Sequence, residues 1–274
     1  MQEILDFTYQ EKGKDSLSSK KHTHTYHLEI LHVCGGTGTY IVNDRILPIK
    51  PNTMVLINGM DNHCSVPADA SAYIRSKLVI SKRFIDQIAE ITDAVSLIDD
   101  LFTNQSGLCI ELSPEEHAYI DRQFQEIHTS LNTDNLYSRT NMMIALFRIL
   151  ICTHRNLQHT SIIHNKMSDV LQYLNAHLQD KLELEPICEH FHISKYYLCH
   201  TFKKTVGMTI GDYVLARRIS VAKRKLIYTD MPLSEIALST GFSSFSYFSK
   251  VFKEYEGVTP KEFRKNGVSG VENL

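Results

Sequence analysis

The chain has 274 residues, 43% of them hydrophobic and 22% charged, with a formal net charge of −2. That composition excludes a disordered, collagen-like or low-complexity protein, and the length supplies one large or two ordinary domains. No apolar run reaches the roughly 18 residues of a membrane helix, and the polar start MQEILDFTYQEKGKDSLSSKK has no secretory apolar stretch. A cytoplasmic location without a membrane partner is the expectation. The six cysteines, Cys34, Cys64, Cys109, Cys152, Cys188 and Cys199, show no CxxC spacing and read as reduced thiols. Charge is uneven along the chain. From residue 160 onward there are 15 Lys and Arg against 12 Asp and Glu, a balance of +3, whereas the preceding part has 14 against 19, a balance of −5. Only the C-terminal part carries a balance suited to phosphates.

In chain order, residues 22–80 read as short strands. HLEILHVCGG, TGTYIVNDRILPI, NTMVLING and SAYIRSKLVI alternate or are rich in β-branched residues, and GG, ND, PN and NG mark turns between them. Strands this closely spaced predict a small barrel or sandwich with room for a ligand. Its polar lining is assigned to His24, Tyr26, Glu29, Tyr40 and His63. The string His22-Thr-His24, then Glu29, then Gly36, with His63 later, resembles the first metal-binding motif of cupin barrels. Three His and one carboxylate can hold a transition metal. The second cupin motif departs from the pattern, with Pro51-Asn52-Thr53 in place of Pro-Gly-Asp. Strand alternation also places His22, His24, Tyr26 and Leu28 on one face and Thr23, His27 and Glu29 on the other, so His24 and Glu29 do not both point inward on a regular strand. No metal ligand and no cofactor are therefore assigned.

From residue 81 the period becomes helical. SKRFIDQIAEI and DAVSLIDDLF predict short helices. A longer helix opens at Ser113, where Ser-Pro-Glu-Glu offers an N-cap, a first-turn Pro and acidic residues at the positive dipole end. Another runs from about Leu136 to Arg155 with Met143, Leu146, Phe147, Leu150 and Ile151 on one face. These helices either roof the barrel or supply a dimer interface. LQHTSIIHN lacks a period, which divides the chain into residues 1–156, a linker 157–165, and an all-helical part 166–274.

The last third repeats itself. SKYYLCHTFKKTVGMTIGDY, from Ser194 to Tyr213, returns fifty residues later as SFSYFSKVFKEYEGVTPKEF, from Ser244 to Phe263. The shift pairs Tyr197 with Tyr247, Phe202 with Phe252, Lys203 with Lys253, Gly207 with Gly257 and Thr209 with Thr259. A repeated supersecondary unit implies one structural task performed twice. Each copy reads as a helix-turn-helix whose second helix is capped by Ser194 or Ser244. The outward residues of those helices are candidate DNA contacts: Ser194, Lys195, Tyr196, Cys199, His200 and Lys203 in the first, Ser244, Ser246, Ser249, Lys250 and Lys253 in the second. Between the copies Thr209 to Ile227 predicts one long helix with Arg217, Arg218, Lys223, Arg224 and Lys225 around an apolar stripe. A stiff connector lets one monomer occupy two adjacent major grooves, about 34 Å apart.

The segments SKYYLCHTFKKTVGMTIGDYVLARR and IALSTGFSSFSYFSKVFKEYEGVTPKEFRK resemble the double helix-turn-helix domain of the AraC/XylS transcription regulators. The resemblance covers about the last hundred residues. It implies an α+β chain in which a cupin-like sensor barrel with a helical dimerisation region precedes an all-α double helix-turn-helix domain. It further implies promoter DNA as partner, a small-molecule effector such as a sugar, a homodimer, and activation through RNA polymerase. Base-reading positions of the family fall on Tyr196, Cys199 and His200 and on Ser246, Ser249 and Lys250. His200 stands where the family often has Arg, and neutral His lacks the bidentate fork that reads guanine. The alternative function is a metal-dependent cupin enzyme or metal sensor fused to a DNA-binding domain.

Overall fold

The computed structural model describes residues 4–13, 27–103, 107–133, 135–160 and 162–271, with side chains through Lys265. Among the described residues eight strands come first: β1 Ile4–Lys12, β2 His27–Gly35, β3 Gly38–Val42, β4 Arg45–Ile49, β5 Thr53–Asn58, β6 His63–Pro67, β7 Ile74–Ser81 and, after two short helices, β8 Leu108–Glu111. They form two antiparallel sheets, one of order β1-β7-β2-β5-β8 and one of order β4-β3-β6. β2 is buried on both faces, which explains its nearly unbroken apolar run. Its odd residues Leu31 and Val33 meet Tyr40, Val42, Leu47, Val55, Ile57 and Tyr73 between the sheets. Its even residues Leu28 and Ile30 face helices instead.

Those helices are α1 Lys82–Ile91, α2 Val95–Ile98, α3 Pro114–Asn132 and α4 Ser138–Arg155, with a π turn at Asp99–Thr103. Ile120, Phe124, Ile127, Leu146 and Leu150 roof the larger sheet, so both long helices bury a face on the barrel. At the start of α3 the Ser113 hydroxyl accepts from the Glu116 amide at 3.2 Å while the Glu116 carboxylate accepts from the Ser113 amide at 2.9 Å. The buried face of α4 is rotated from the expected one. Met142, Ala145, Leu146, Ile149 and Leu150 are buried, whereas Ile151 is 40% exposed. The face is set by the sheet and α3, and an apolar helix does not itself announce which flank is covered.

After a 3₁₀ turn at Leu157–His159 the chain crosses the barrel edge, where Thr160 bridges to Ile110 and Ile163 to Ile46. Seven helices follow: α5 Lys166–Ala176, α6 Leu184–Phe191, α7 Lys195–Val206, α8 Ile210–Tyr228, α9 Leu233–Ser239, α10 Phe245–Glu256 and α11 Pro260–Val271. They build two cores that share α8. The first joins α5, α6, α7 and the start of α8 to Ile41, Ile46 and Cys64 of the smaller sheet. The second joins the end of α8 to α9, α10 and α11, with Met60 of the barrel. The helical part thus packs directly on the β4-β3-β6 sheet.

Candidate nucleic-acid interface

The repeat builds two helix-turn-helix units, α6 with α7 and α9 with α10. Ser194 Oγ accepts from the Tyr197 amide at 3.1 Å, and Ser244 Oγ accepts from the Tyr247 amide at 3.2 Å. Both caps belong to the predicted DNA set, and both hydroxyls also hold a helix start. Gly207 and Gly257 end the two helices with φ of 82° and 77°, a left-handed conformation that favours glycine. Thr209 and Thr259 then cap the next helices, their hydroxyls bonded to Asp212 at 2.7 Å and Glu262 at 2.8 Å. The inward faces match as well: Leu198 and Phe202 in α7, Phe248 and Phe252 in α10, are fully buried. Fifty-residue periodicity therefore encodes caps and core.

The outward faces are where the copies differ. Lys195, Tyr196, Cys199, His200 and Lys203 are exposed on α7, and Ser246, Lys250 and Lys253 on α10, with Ser249 half-buried beside them. Lys195 pairs with Glu185 of α6 at 2.7 Å. Tyr196, 79% exposed, stacks on His200 with ring centroids 5.7 Å apart. A flat aromatic pair one turn apart offers donors, acceptors and an apolar edge to a groove.

The cations of α8 are placed otherwise than the sequence implied. Arg217 is buried and donates to Asn175 Oδ1 at 2.7 Å and to the Asn43 side chain. Arg218 donates to the carbonyls of Leu178 and Asp180, each at 2.8 Å. Lys223 pairs with Glu256 at 3.0 Å, Lys225 donates to Ser239 Oγ at 2.8 Å, and Arg224 pairs with Asp61 of the barrel. These five side chains fasten α8 to neighbouring helices, to a loop and to the barrel, whereas Lys203 and Lys204 on α7 and Lys250 and Lys253 on α10 are exposed. The sequence signal for Arg217 was its place four residues after Tyr213, on the buried stripe.

The barrel contributes the other half of this junction. Asn43 starts the two-residue β3–β4 turn with φ 52°, a conformation Asn tolerates. Its main-chain carbonyl accepts the Tyr213 phenol at 2.9 Å, and its side-chain Nδ2 donates to Asp61 Oδ1 at 2.9 Å. Ser220 donates to the Met60 carbonyl at 2.7 Å. Sequence reasoning missed Asn43, Met60 and Asp61 because they sit in turns more than 150 residues from their partners.

Of the expected ligand-lining residues, Glu29, Tyr40 and His63 meet at this end of the barrel; His24 and Tyr26 lie outside the described residues. His63 Nε2 is 3.1 Å from Glu29 Oε2, and the Tyr40 and His63 rings stack at 6.2 Å. His63 Nδ1 donates to the Asp61 carbonyl at 2.8 Å. With Nδ1 so committed, Nε2 donates to an ionised Glu29 only as an imidazolium. Burial alone pushes the Glu29 carboxyl up, but His63, Lys77 and His27 outweigh it and hold it down at about 2. No helix of the described residues is long and apolar enough to cross a membrane.

A sandwich barrel under a helical roof, docked on two helix-turn-helix units sharing a connector, defines an effector-binding module joined to a DNA reader. Residues 4–150 match the family described as "AraC-like ligand binding domain" and residues 187–266 match "Helix-turn-helix domain". The chain belongs to the AraC family of transcription regulators. It is 26% identical to the HTH-type transcriptional activator RhaR of Enterobacter sp. over 89% of this chain and 86% of RhaR. It is 39% identical to the regulatory protein PocR of Salmonella typhimurium over 37% of this chain, a stretch that spans only 33% of PocR. The arabinose operon regulatory protein of Escherichia coli is 34% identical over 36% of this chain and 35% of its own length.

Proposed function

We propose that this regulator is a cytoplasmic transcriptional activator that binds promoter DNA as a homodimer under control of a small polar effector, such as a sugar, held at the Glu29, Tyr40 and His63 end of the barrel. Residues 1–156 are the sensing and dimerisation domain, 157–165 the linker and 166–274 the DNA reader. The observation that carries the reading is the pair of exposed, dissimilar faces on α7 and α10 over matching caps and cores. One monomer reads an asymmetric site through Tyr196, Cys199 and His200 in one groove and Ser246, Ser249 and Lys250 in the next. The arabinose operon regulator among the relatives supports a sugar, and RhaR supports activation, with RNA polymerase as the further partner.

Dimerisation falls to the roof. Ile144 and Ile151 of α4 are 45% and 40% exposed one heptad apart, beside a cleft of about 300 Å³ between α3 and α4. The signal passes from Glu29 to His63, from His63 to the Asp61 loop, and from Asp61 and Asn43 to α8, the helix that spaces the two readers. An effector that prefers one arrangement of this chain of contacts shifts DNA affinity by its differential binding. The test is binding of the full chain to a footprinted operator. Lys250→Ala lowers specific affinity by about 1–3 kcal/mol and relaxes one base position. Unchanged operator affinity in both Lys250→Ala and His200→Ala rejects the assignment.

A further inference from the structure

The even face of β2 carries two residues that neither the DNA reader nor the barrel-end pair uses. His32 and Cys34 stand side by side under α3, and α3 brings Asp121 to them. A ring nitrogen of His32, Cys34 Sγ and a carboxylate oxygen of Asp121 all lie within 4.8 Å of one another, and Sγ is 3.7 Å from His32 Nδ1. One imidazole, one thiol and one carboxylate converging from a strand and a helix make a donor set suited to a borderline-soft ion, and the sulfur disfavours magnesium or calcium.

The donors are also oriented. The His32 ring sits against His117 at 4.6 Å and Phe124 at 5.7 Å between centroids, and its Nε2 lies 2.8 Å from His117 Nδ1. In the tautomer whose Nε2–H donates to His117, Nδ1 keeps its lone pair on the side of Cys34. Tyr9 donates to Asp121 Oδ2 at 3.2 Å and Gln10 Nε2 donates to Oδ1 at 3.2 Å. Hydrogen bonds that fix the far nitrogen of a ligating His and the oxygens of a ligating carboxylate are the usual outer support of a metal site. His32 is buried, whereas Cys34 and Asp121 are partly exposed, which leaves a route for the ion.

We propose that His32, Cys34 and Asp121 bind one zinc-class divalent ion between β2 and α3, with a fourth position open to water or another small donor. The ion fastens the helical roof to the sheet and, through the roof, bears on the face assigned to dimerisation. The site stands independently of the effector and DNA assignments.

The probe is cobalt(II) alone, added to the metal-free full chain, followed by zinc(II). The expected result is one equivalent of cobalt with the intense d–d bands of a four-coordinate ion and a near-ultraviolet thiolate charge-transfer band, all abolished by one equivalent of zinc. Cys34→Ser removes the charge-transfer band, and Asp121→Asn weakens cobalt binding tenfold or more. His117→Phe keeps the spectrum but weakens affinity about 10- to 100-fold, as loss of an orienting partner does. Cys199→Ser, on the exposed face of α7, leaves the cobalt spectrum and the cobalt affinity unchanged. Circular dichroism at matched temperature establishes that each variant is folded, and the conservative Asp121→Asn change keeps the test decisive if Cys34→Ser unfolds. The proposal is overturned if the wild type shows no charge-transfer band, or if the band survives Cys34→Ser and disappears in Cys199→Ser.

Discussion

The phenol of Tyr213, in the first turn of the connector α8, donates to the main-chain carbonyl of Asn43 in the barrel across 2.9 Å. Both groups are buried, so the bond ties sensor to reader without competition from water. Tyr213→Phe keeps the ring against Phe202, whose centroid is 5.6 Å away, and leaves the Asn43 carbonyl without this donor. Urea unfolding of the full chain is expected to show a loss of about 1–2 kcal/mol, against about 3–5 for Tyr213→Ala, which also opens a cavity. A Phe variant as stable as the wild type would show that the bond contributes nothing net.

The turns of the two helix-turn-helix units make opposite demands on the same substitution. His192 ends α6 in the left-handed region with φ 51°, where a Cβ is unfavourable, whereas the matching turn of the second unit uses Gly241 with φ 87°. His192→Gly is expected to raise stability by about 0.5–1 kcal/mol. Gly241→Ala is expected to lower it by more than that, because the new Cβ falls 2.2 Å from the Leu178 carbonyl oxygen. Calorimetric melting of both variants checks the pair of signs.

Lys203 and Lys253 occupy equivalent exposed positions near the ends of the two reader helices. Neither has a role in the cores, so phosphate contact is their expected task. Each Lys→Ala change lowers the slope of log affinity against log salt by about 1 and weakens different DNA sequences alike. A titration over several salt concentrations distinguishes this from the base-specific loss expected at Lys250.

The cap and core residues of the reader were legible because they are local. Ser194 to Tyr197, Lys203 to Gly207 and Thr209 to Asp212 are bonded within four residues, and all recur fifty positions on. What was hidden depended on partners far along the chain. Arg217 and Arg224 looked like surface cations because Asn43 and Asp61, which receive them, lie more than 160 residues earlier. β1 was unreadable for another reason: it pairs along the edge with register shifts on either side of Asp6–Thr8, and bulges erase strict alternation. β8, with four residues, is too short to carry a period.

Acid should expose the Glu29–His63 pair. The Glu29 carboxyl is held at about 2 when folded, against about 4.3 in an unfolded chain. A depressed carboxyl pKa contributes stability that is fully present above the unfolded value and is lost as pH falls through the folded one. Its size is on the order of 3 kcal/mol at neutral pH and shrinks as the pH falls below the unfolded value. Glu29→Gln is therefore expected to be less stable than wild type at pH 7, with the gap narrowing steadily between pH 5 and 3. A gap that stays constant over that range excludes an ionised Glu29 as its source.

Transmission through the junction is open to a thermodynamic cycle. Glu29 contacts His63 at 3.1 Å, His63 holds the Asp61 carbonyl at 2.8 Å, and the Asp61 carboxylate, itself buried, takes Arg224 and Asn43. Arg224→Met removes a cation that is 46% exposed, so the loss of stability falls below that of a fully buried pair, about 1–2 kcal/mol. Operator affinity is then measured for wild type, Glu29→Gln, Arg224→Met and the double variant. If the barrel end and α8 move together, the double variant departs from additivity by about 0.5–2 kcal/mol. Independent sites add to within about 0.5 kcal/mol, and that outcome assigns Arg224 to fastening the domains, with the effector signal carried by another contact between sheet and helix.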